Sequence, residues 1–181
     1  HTFIRREIRG LEARGVEIVR IALRPGAYVD PEDAEEASKT WFLLREPKWW
    51  LLLEAKLHAL SNPRGAARAL AAAFRMARRS DRGLVRHAAY LIEAAVLYRH
   101  LRRKRVDHLH VHFGTNAATV ARLARIMGGP PYSMTIHGPD EFDAPVGLSL
   151  GEKIVDSAFT VAITDYCSSQ LRRWGAYAYW N

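Results

Sequence analysis

The sequence predicts a doubly wound α/β fold, in which helices flank a parallel sheet and a helical insertion interrupts the chain. From residue 107 to residue 165, short apolar strands alternate with helices, which is the order typical of parallel sheets. The middle of the chain instead shows the period of about 3.6 residues that indicates consecutive helices. The 181 residues suffice for one compact domain, and 49% of them are hydrophobic. We therefore expect a single domain over residues 1–181, with the insertion at residues 41–105.

The first elements are predicted to be a helix, a strand and a second helix. Apolar residues from Phe3 to Leu11 recur at helical spacing, and Gly15 ends that helix. The run from Val16 to Leu23 is strand-like, and the turn dipeptide Pro25-Gly26 closes it. Pro31 begins a short acidic helix, because proline is favoured in the first helical turn.

Three helices are predicted in the insertion, beginning near Pro47, at Asn62-Pro63 and at Ser80-Asp81. In the first, one stripe joins Trp50, Leu53, Leu57 and Leu60. In the second, Ala66, Leu70, Ala73, Phe74 and Ala77 lie together. At about 100° per residue, the opposite side of that helix collects Arg64, Arg68, Arg75 and Arg79. In the third, the residues expected to point inward are Val85, Ala88, Ala89, Ile92, Ala95 and Val96.

The charge of the chain is concentrated in this insertion. The formal net charge is +8, and residues 61–105 contain twelve Lys and Arg against only Asp81 and Glu93. Such a block is either a solvated helix face or a surface for a polyanion. Anionic lipid would suit it, with the nearby aromatic residues as interfacial anchors. These are Trp41, Phe42, Trp49 and Trp50. No nucleic-acid motif accompanies the charge, so we expect no nucleic-acid partner.

The compartment is predicted from two further features. The single cysteine, Cys167, excludes an internal disulfide framework and fits a reducing setting. No apolar run is long enough to span a bilayer. We expect a cytoplasmic protein, peripheral on the inner face of the plasma membrane if the basic helices contact lipid.

The second half of the chain carries its chemistry at two strand ends. Strands are predicted at Asp107–Phe113, Tyr132–His137 and Phe159–Ile163, and helices at Asn116–Met127, near Leu150–Ser157 and from Asp165. Parallel sheets bind ligands at the carboxyl ends of their strands, where His112 and His137 would approach one cleft. Gly114 would let backbone approach a ligand, and the amides of residues 115–117 begin a helix, which suits an anion.

These motifs carry a family resemblance. The runs HLHVHFGTNAATVARLARIMGGPPYSMTIHGPDEFD and LGEKIVDSAFTVAITDYCSSQL resemble the N-terminal domain of the retaining family 4 (group 1) glycosyltransferases, in its exopolysaccharide, colanic-acid-type branch. The opening TFIRREIRGLEARGVEIVRIALR is similar to the segment that follows the first strand there, although His1 replaces an acidic residue. The resemblance implies the Rossmann-like N-terminal half of a GT-B fold. It also implies that the chain is the acceptor-side domain, lacking the first strand and the C-terminal donor domain.

The resemblance also implies roles for individual residues. His137 matches the family histidine beside the donor sugar and the acceptor, so it is the candidate catalytic residue. The candidate binding residues around it are His112, Gly114, Thr115, Asn116, Gly138 and Asp140. Among these, Gly138 and Asp140 would shape the acceptor loop. The substrates would be a nucleotide sugar and a polysaccharide or lipid-linked acceptor, and no metal, other cofactor or protein nucleophile is expected. Because the family holds the leaving nucleotide in the C-terminal domain, we expect the isolated chain to be inactive.

Two other classes of function remain open at this point. A non-catalytic module could bind anionic lipid or nucleic acid through the basic helices. A metal-dependent hydrolase could use His108, His110 and His112, which alternate onto one strand face, with His137, Asp140 and Asp165 as the available further ligands. The seven-residue interval between Glu46 and Glu54 matches a paired-glutamate motif of the family's donor domain. Its position in the N-terminal domain is wrong, and we interpret it as chance.

Overall fold

The computed structural model describes residues 2–26 and 31–175, and the chain divides into two compact units, residues 1–48 and 49–181. Both units contain parallel strands together with helices, so the predicted parallel α/β class with a helical insertion is confirmed. The extent of the domain over residues 1–181 stays a prediction. His1, which departs from the family pattern, lies outside the described residues.

The first unit is a small parallel arrangement of strands and helices. Its elements are α1 (Thr2–Glu12), β1 (Ile21–Ala22), α2 (Pro31–Ser38), β2 (Trp41–Phe42) and a 3-10 turn (Leu43–Arg45). The predicted strand at residues 16–23 forms a ladder only where β2 lies beside it, with Ile21 opposite Trp41. Arg20 joins both helices to this strand, because its guanidinium pairs with Glu12 at 2.9 Å and Glu36 at 2.7 Å.

The second unit begins with the three predicted helices, α3 (Lys48–Ser61), α4 (Pro63–Arg79) and α5 (Gly83–Arg103). Asn62 determines where α4 starts: its side-chain oxygen accepts a hydrogen bond from the Gly65 amide at 3.0 Å, and Pro63 occupies the first turn. The same Asn62 side chain donates to the Met127 carbonyl at 2.7 Å. Helix α5 packs on α4.

The buried sides of these helices differ from the predicted ones. In α4 the buried residues are Gly65, Ala69, Ala72, Ala73, Met76 and Ala77, while Leu70 and Phe74 are exposed. In α5 the predicted inward residues Val85, Ala88 and Ala89 are exposed, Val85 by 85%. In α4 the prediction was wrong for Leu70 and Phe74, because close helix contact favours small side chains and the alanine side faces the neighbouring helices. In α5 the predicted Ala95 and Val96 are buried, whereas the first turns bury His87 and Tyr90 instead.

A three-stranded parallel sheet completes the second unit. The elements are β3 (Leu109–His112), α6 (Asn116–Ile126), β4 (Tyr132–Ile136), α7 (Asp140–Asp143), α8 (Leu150–Asp156), β5 (Thr160–Ala162) and α9 (Asp165–Arg172). The strand order is β3-β4-β5, so β4 is central, and all five of its residues are buried. The core of the sheet joins Ala118, Met134, Ile136, Leu150 and Leu171. Helix α6 covers this core and packs on α4 and α5.

The register of the sheet aligns the strand ends. His112 at the end of β3 lies opposite Thr135, near the end of β4. The chain therefore leaves both strands at the same edge, which we call the carboxyl edge. No helix in the described part of the chain has the length and apolar character required to cross a bilayer.

Candidate functional site

The two histidines predicted to share a cleft lie side by side at the carboxyl edge. His112 Nδ1 is 3.3 Å from His137 Nε2, and the ring centroids are 5.6 Å apart. Both side chains are half-buried, so they are held by protein and still reach solvent. Burial lowers the pKa of His112 to about 4, with smaller contributions from His110 and His137. His112 is therefore neutral near pH 7.

The backbone turns sharply immediately after each histidine. Phe113 has a φ of 68°, a left-handed conformation that is uncommon for a bulky residue, and Gly138 has a φ of 102°. The Phe113 ring lies 4.5 Å from the His137 ring, centroid to centroid. Strained backbone of this kind persists where the surrounding structure holds it, and it is concentrated at functional sites.

Glu141 joins the two turns. Its Oε1 accepts a hydrogen bond from the Gly114 amide at 2.9 Å, and its Oε2 accepts one from the Gly138 amide at 3.0 Å. The residue is only 1% exposed. One buried carboxylate thus fixes the distance between the turn after β3 and the turn after β4. The resemblance predicted a role in this loop for the neighbouring Asp140, and no sequence signal pointed to Glu141.

Lys153 binds the carbonyl groups of the same turn, as Glu141 binds its amide. Its ammonium nitrogen donates to the carbonyl oxygens of Gly114 at 2.8 Å and Thr115 at 2.9 Å, and its side chain is 0% exposed. Burial, with smaller contributions from the charges of Arg122 and Arg82, lowers the pKa of Lys153 to about 7, while Glu141 opposes the shift. A lysine in an amphipathic helix such as α8 is usually solvent-exposed, so its sequence position gave no signal of this role.

Gly114 is required by packing. A Cβ at this position would lie 2.8 Å from Ile136 Cδ1 and 3.1 Å from Leu150 Cδ1, closer than side chains tolerate. The predicted contact of its backbone with a ligand stays a prediction, and its amide already donates to Glu141.

The remaining predicted site residues surround this centre. Thr115 and Asn116 are half-buried at the start of α6, where the Thr115 hydroxyl donates to Asn116 Oδ1 at 3.2 Å. Asp140 is exposed at the start of α7, and its carboxylate has no hydrogen bond within the described residues. The hydrogen bonds that fix this loop are made by Glu141, and the contact of Asp140 with an acceptor stays a prediction. Ligand contacts of these residues stay predictions.

His108 and His110 have structural partners in the sheet. His110 hydrogen bonds Ser133 at 2.7 Å through Nδ1 and Thr135 at 2.9 Å through Nε2. His108 Nε2 lies 2.7 Å from the same Ser133 hydroxyl, and its ring stacks on Phe159. Both nitrogens of His110 thus lie within hydrogen-bonding distance of hydroxyl groups on β4.

Glu46 and Glu54, which match the paired-glutamate motif by chance, also have structural partners. Glu46 accepts a hydrogen bond from the Trp41 indole at 3.0 Å within the first unit. Glu54 is buried in the second unit and pairs with Arg99 and with Arg103. Each carboxylate therefore has a local structural partner.

A cavity of about 470 Å³ lies at the opposite edge of the sheet, where the strands begin. Its lining includes Tyr98, Arg102, Asp107 and Gly129, and none of the predicted site residues. The histidine pair instead occupies the edge at which parallel sheets bind their ligands.

Comparison with known proteins gives one match. A family model described as glycosyl transferase 4-like matches residues 54–168, well over half of the chain. The matched segment runs from within α3 to the first turn of α9 and includes His112, His137, Glu141 and Lys153. No curated protein and no solved structure matches the chain.

Proposed function

This chain belongs to the glycosyl transferase 4-like family, and on that premise we propose that it forms the acceptor side of a retaining GT-B glycosyltransferase. The proposed reaction transfers a sugar from a nucleotide-sugar donor to a hydroxyl group of a polysaccharide or lipid-linked acceptor, as in the exopolysaccharide branch of the family. The observation that carries the proposal is the contact between His112 and His137 at the carboxyl edge.

His137 is the residue that we place against the reacting sugar. Glycosyl transfer develops positive, oxocarbenium-like charge on the sugar, and a fixed hydrogen-bonding group beside it stabilises that charge. Because the pKa of His112 is about 4, His112 is a neutral neighbour that can orient the His137 ring without adding a competing charge. His112 is therefore a positioning residue in this proposal.

The rigidity of the edge supports the same role. Catalysis by fixed dipoles is effective when the groups need no reorganisation during the reaction. Lys153 donates to the Gly114 and Thr115 carbonyl oxygens, and Glu141 accepts from the amides of Gly114, His137 and Gly138, so both turns are fixed by five hydrogen bonds. Thr115, Asn116, Gly138 and Asp140 would then form the wall that meets the acceptor.

The proposal needs no protein nucleophile, no metal and no cofactor besides the nucleotide-sugar substrate. We place the reaction in the cytoplasm, because the lone cysteine, Cys167, is buried and free, which agrees with a reducing compartment.

The test is complementation of a deletion strain by the full-length gene, with polysaccharide production as the readout. We expect His137→Ala to abolish production while the protein still folds, since loss of one such group costs about 10²- to 10³-fold in kcat. His108→Ala is the matched control, because that exposed histidine lies at the start of β3 and should leave production unchanged. Wild-type production by folded His137→Ala protein would refute the proposal.

A further inference from the structure

Helix α4 carries large apolar residues on its exposed side. Leu70 is 58% exposed and Phe74 is 51% exposed, and the alanines at 67 and 71 beside them are also exposed. At about 100° per residue, these four positions share one stripe along the helix. Such residues normally point into a core, so an apolar stripe that faces outward indicates a surface that something covers.

A second exposed stripe, of arginines, runs beside the apolar one. It contains Arg64, Arg68 and Arg75 and continues to Arg79 at the helix end. Within the described residues none of the first three guanidinium groups has an ion-pair or hydrogen-bond partner, whereas Arg79 pairs with Glu152 at 2.8 Å. A merely solvated helix face explains the arginines but not the exposed leucine and phenylalanine.

The third side of α4 is buried, so the two exposed stripes are held in place. Small residues such as Ala69, Ala72 and Ala73 make this side, and it packs on α5 and α6. The helix therefore cannot rotate to hide Leu70 and Phe74. Apolar and basic stripes in parallel on a fixed helix are the features of an element that lies in the plane of a membrane interface.

We propose that α4 binds the surface of an anionic lipid bilayer, with Leu70 and Phe74 inserted among the acyl chains and Arg64, Arg68 and Arg75 on lipid phosphates. Arginine and lysine near an anionic leaflet are attracted to it individually, and buried apolar side chains add an energy that salt does not screen. Nucleic acid fits less well, because it offers a polyanion but no apolar surface for Leu70 and Phe74.

The interfacial anchors that the sequence suggested differ in exposure: Trp49 is 67% exposed in the first turn of α3, whereas Trp41 and Phe42 are engaged within the first unit. Phe42 is buried beneath the guanidinium of Arg45, 4.4 Å from its ring, and the Trp41 indole donates to Glu46. Neither side chain is available to a membrane.

The position of α4 connects the bilayer with the carboxyl edge. The carbonyl oxygen of Arg79, at the end of α4, lies 3.8 Å from the Cβ position of Gly147, in the turn that leads into α8. Helix α8 carries Lys153, which holds the Gly114 turn. The C-terminal end of α4 thus lies near the segment that supports the carboxyl edge, whereas its N-terminal end, at Asn62, contacts Met127 before β4. The lipid contact itself does not depend on the proposed transferase activity.

The experiment is flotation of the full-length protein with phosphatidylcholine vesicles that contain or lack phosphatidylglycerol, in the absence of any sugar. We expect binding only with the anionic lipid, and weaker binding as salt rises. Arg64→Gln/Arg68→Gln/Arg75→Gln should reduce the partition coefficient by roughly tenfold or more. Leu70→Ser/Phe74→Ser should reduce it even at high salt, because the apolar contribution is unscreened. All five of these side chains are exposed, so they can be replaced without opening the core.

The control variant removes the same number of positive charges from another part of the chain. Arg6→Gln/Arg14→Gln/Arg24→Gln removes three exposed arginines of the first unit, and we expect it to bind the anionic vesicles nearly as the wild type does. Equal losses in control and α4 variants would refute α4 as the binding surface. The proposal would also be refuted if the α4 variants bound the vesicles as the wild type does, or if the wild-type protein bound an oligonucleotide and not the vesicles. Since no sugar is present, a negative flotation result would refute the lipid contact without bearing on the proposed transferase activity, which the complementation test examines separately.

Discussion

The imidazole of His112 lies beside that of His137, with Nδ1 3.3 Å from Nε2, although 25 positions separate the two residues in sequence. The parallel register of β3 and β4 creates this contact, because it brings both strand ends to one edge. Glu141 then fixes the two following turns against each other. The site thus depends first on strand register and then on a buried carboxylate.

The free energy of unfolding should depend on pH through His112. Its pKa is about 4 in the folded protein and 6.5 ordinarily, so between these values the unfolded chain binds more protons. The contribution of neutral His112 to the free energy of unfolding is therefore fully present above pH 6.5, and it is lost as the pH falls toward 4. For a half-buried ring we expect a loss of about 1–2 kcal/mol over this interval.

Urea titrations at several pH values measure this effect. His112→Asn should flatten the pH dependence between 6.5 and 4, and His108→Asn, the exposed control on the same strand, should keep it. Parallel curves for His112→Asn and wild type would show that burial of this imidazole does not control the pH response.

Glu141→Gln should destabilise the protein by about 1–3 kcal/mol, the usual penalty for leaving a buried donor unsatisfied. A glutamine keeps one acceptor oxygen, so the amide of either Gly114 or Gly138 would face an NH2 group instead. The free energy of unfolding in urea is the measurement. Glu35→Gln breaks an exposed pair with Lys39 and should leave the free energy of unfolding nearly unchanged. Equal effects of the two substitutions would contradict the bridging role of Glu141.

Gly114→Ala should destabilise the protein by about 1–3 kcal/mol, because the added methyl group overpacks the site against Ile136 and Leu150. Gly10→Ala is the control. Its Cβ would meet only the end of the Arg14 side chain at 3.6 Å, within helix α1, so we expect no loss or a gain of about 0.5–1 kcal/mol. Thermal or urea unfolding of both variants distinguishes the cases, and a neutral Gly114→Ala would mean that the turn has room that the structure does not show.

Much of the fold follows from sequence signals that act locally. Asn62-Pro63 predicted the start of α4 correctly, because a side-chain cap and a proline both act within one turn. Alternating strands and helices after residue 107 likewise predicted the sheet and the meeting of His112 with His137. Strand β2 was missed because two residues give no periodicity.

The sequence could not predict which helix faces and which charged side chains are buried, because tertiary packing decides this. Both α4 stripes are compatible with its apolar pattern, and only contact with α5 and α6 selects the alanine side for the interior. Glu141 and Lys153 resemble ordinary surface charges, and their burial depends on strand ends that are distant in sequence. The same uncertainty affected the membrane anchors, since exposure of Trp41 and Phe42 is decided by the β1–β2 pairing.

The central claim is that His137 and the Gly114 turn face the reacting sugar together. The most direct measurement is the imidazole ¹⁵N NMR spectrum of the full-length protein, with and without the proposed nucleotide-sugar donor. We expect the His137 and His112 resonances to shift on binding, while those of His58 and His87, buried in the helices, stay unchanged. Saturated donor with no change at His137 would contradict the account.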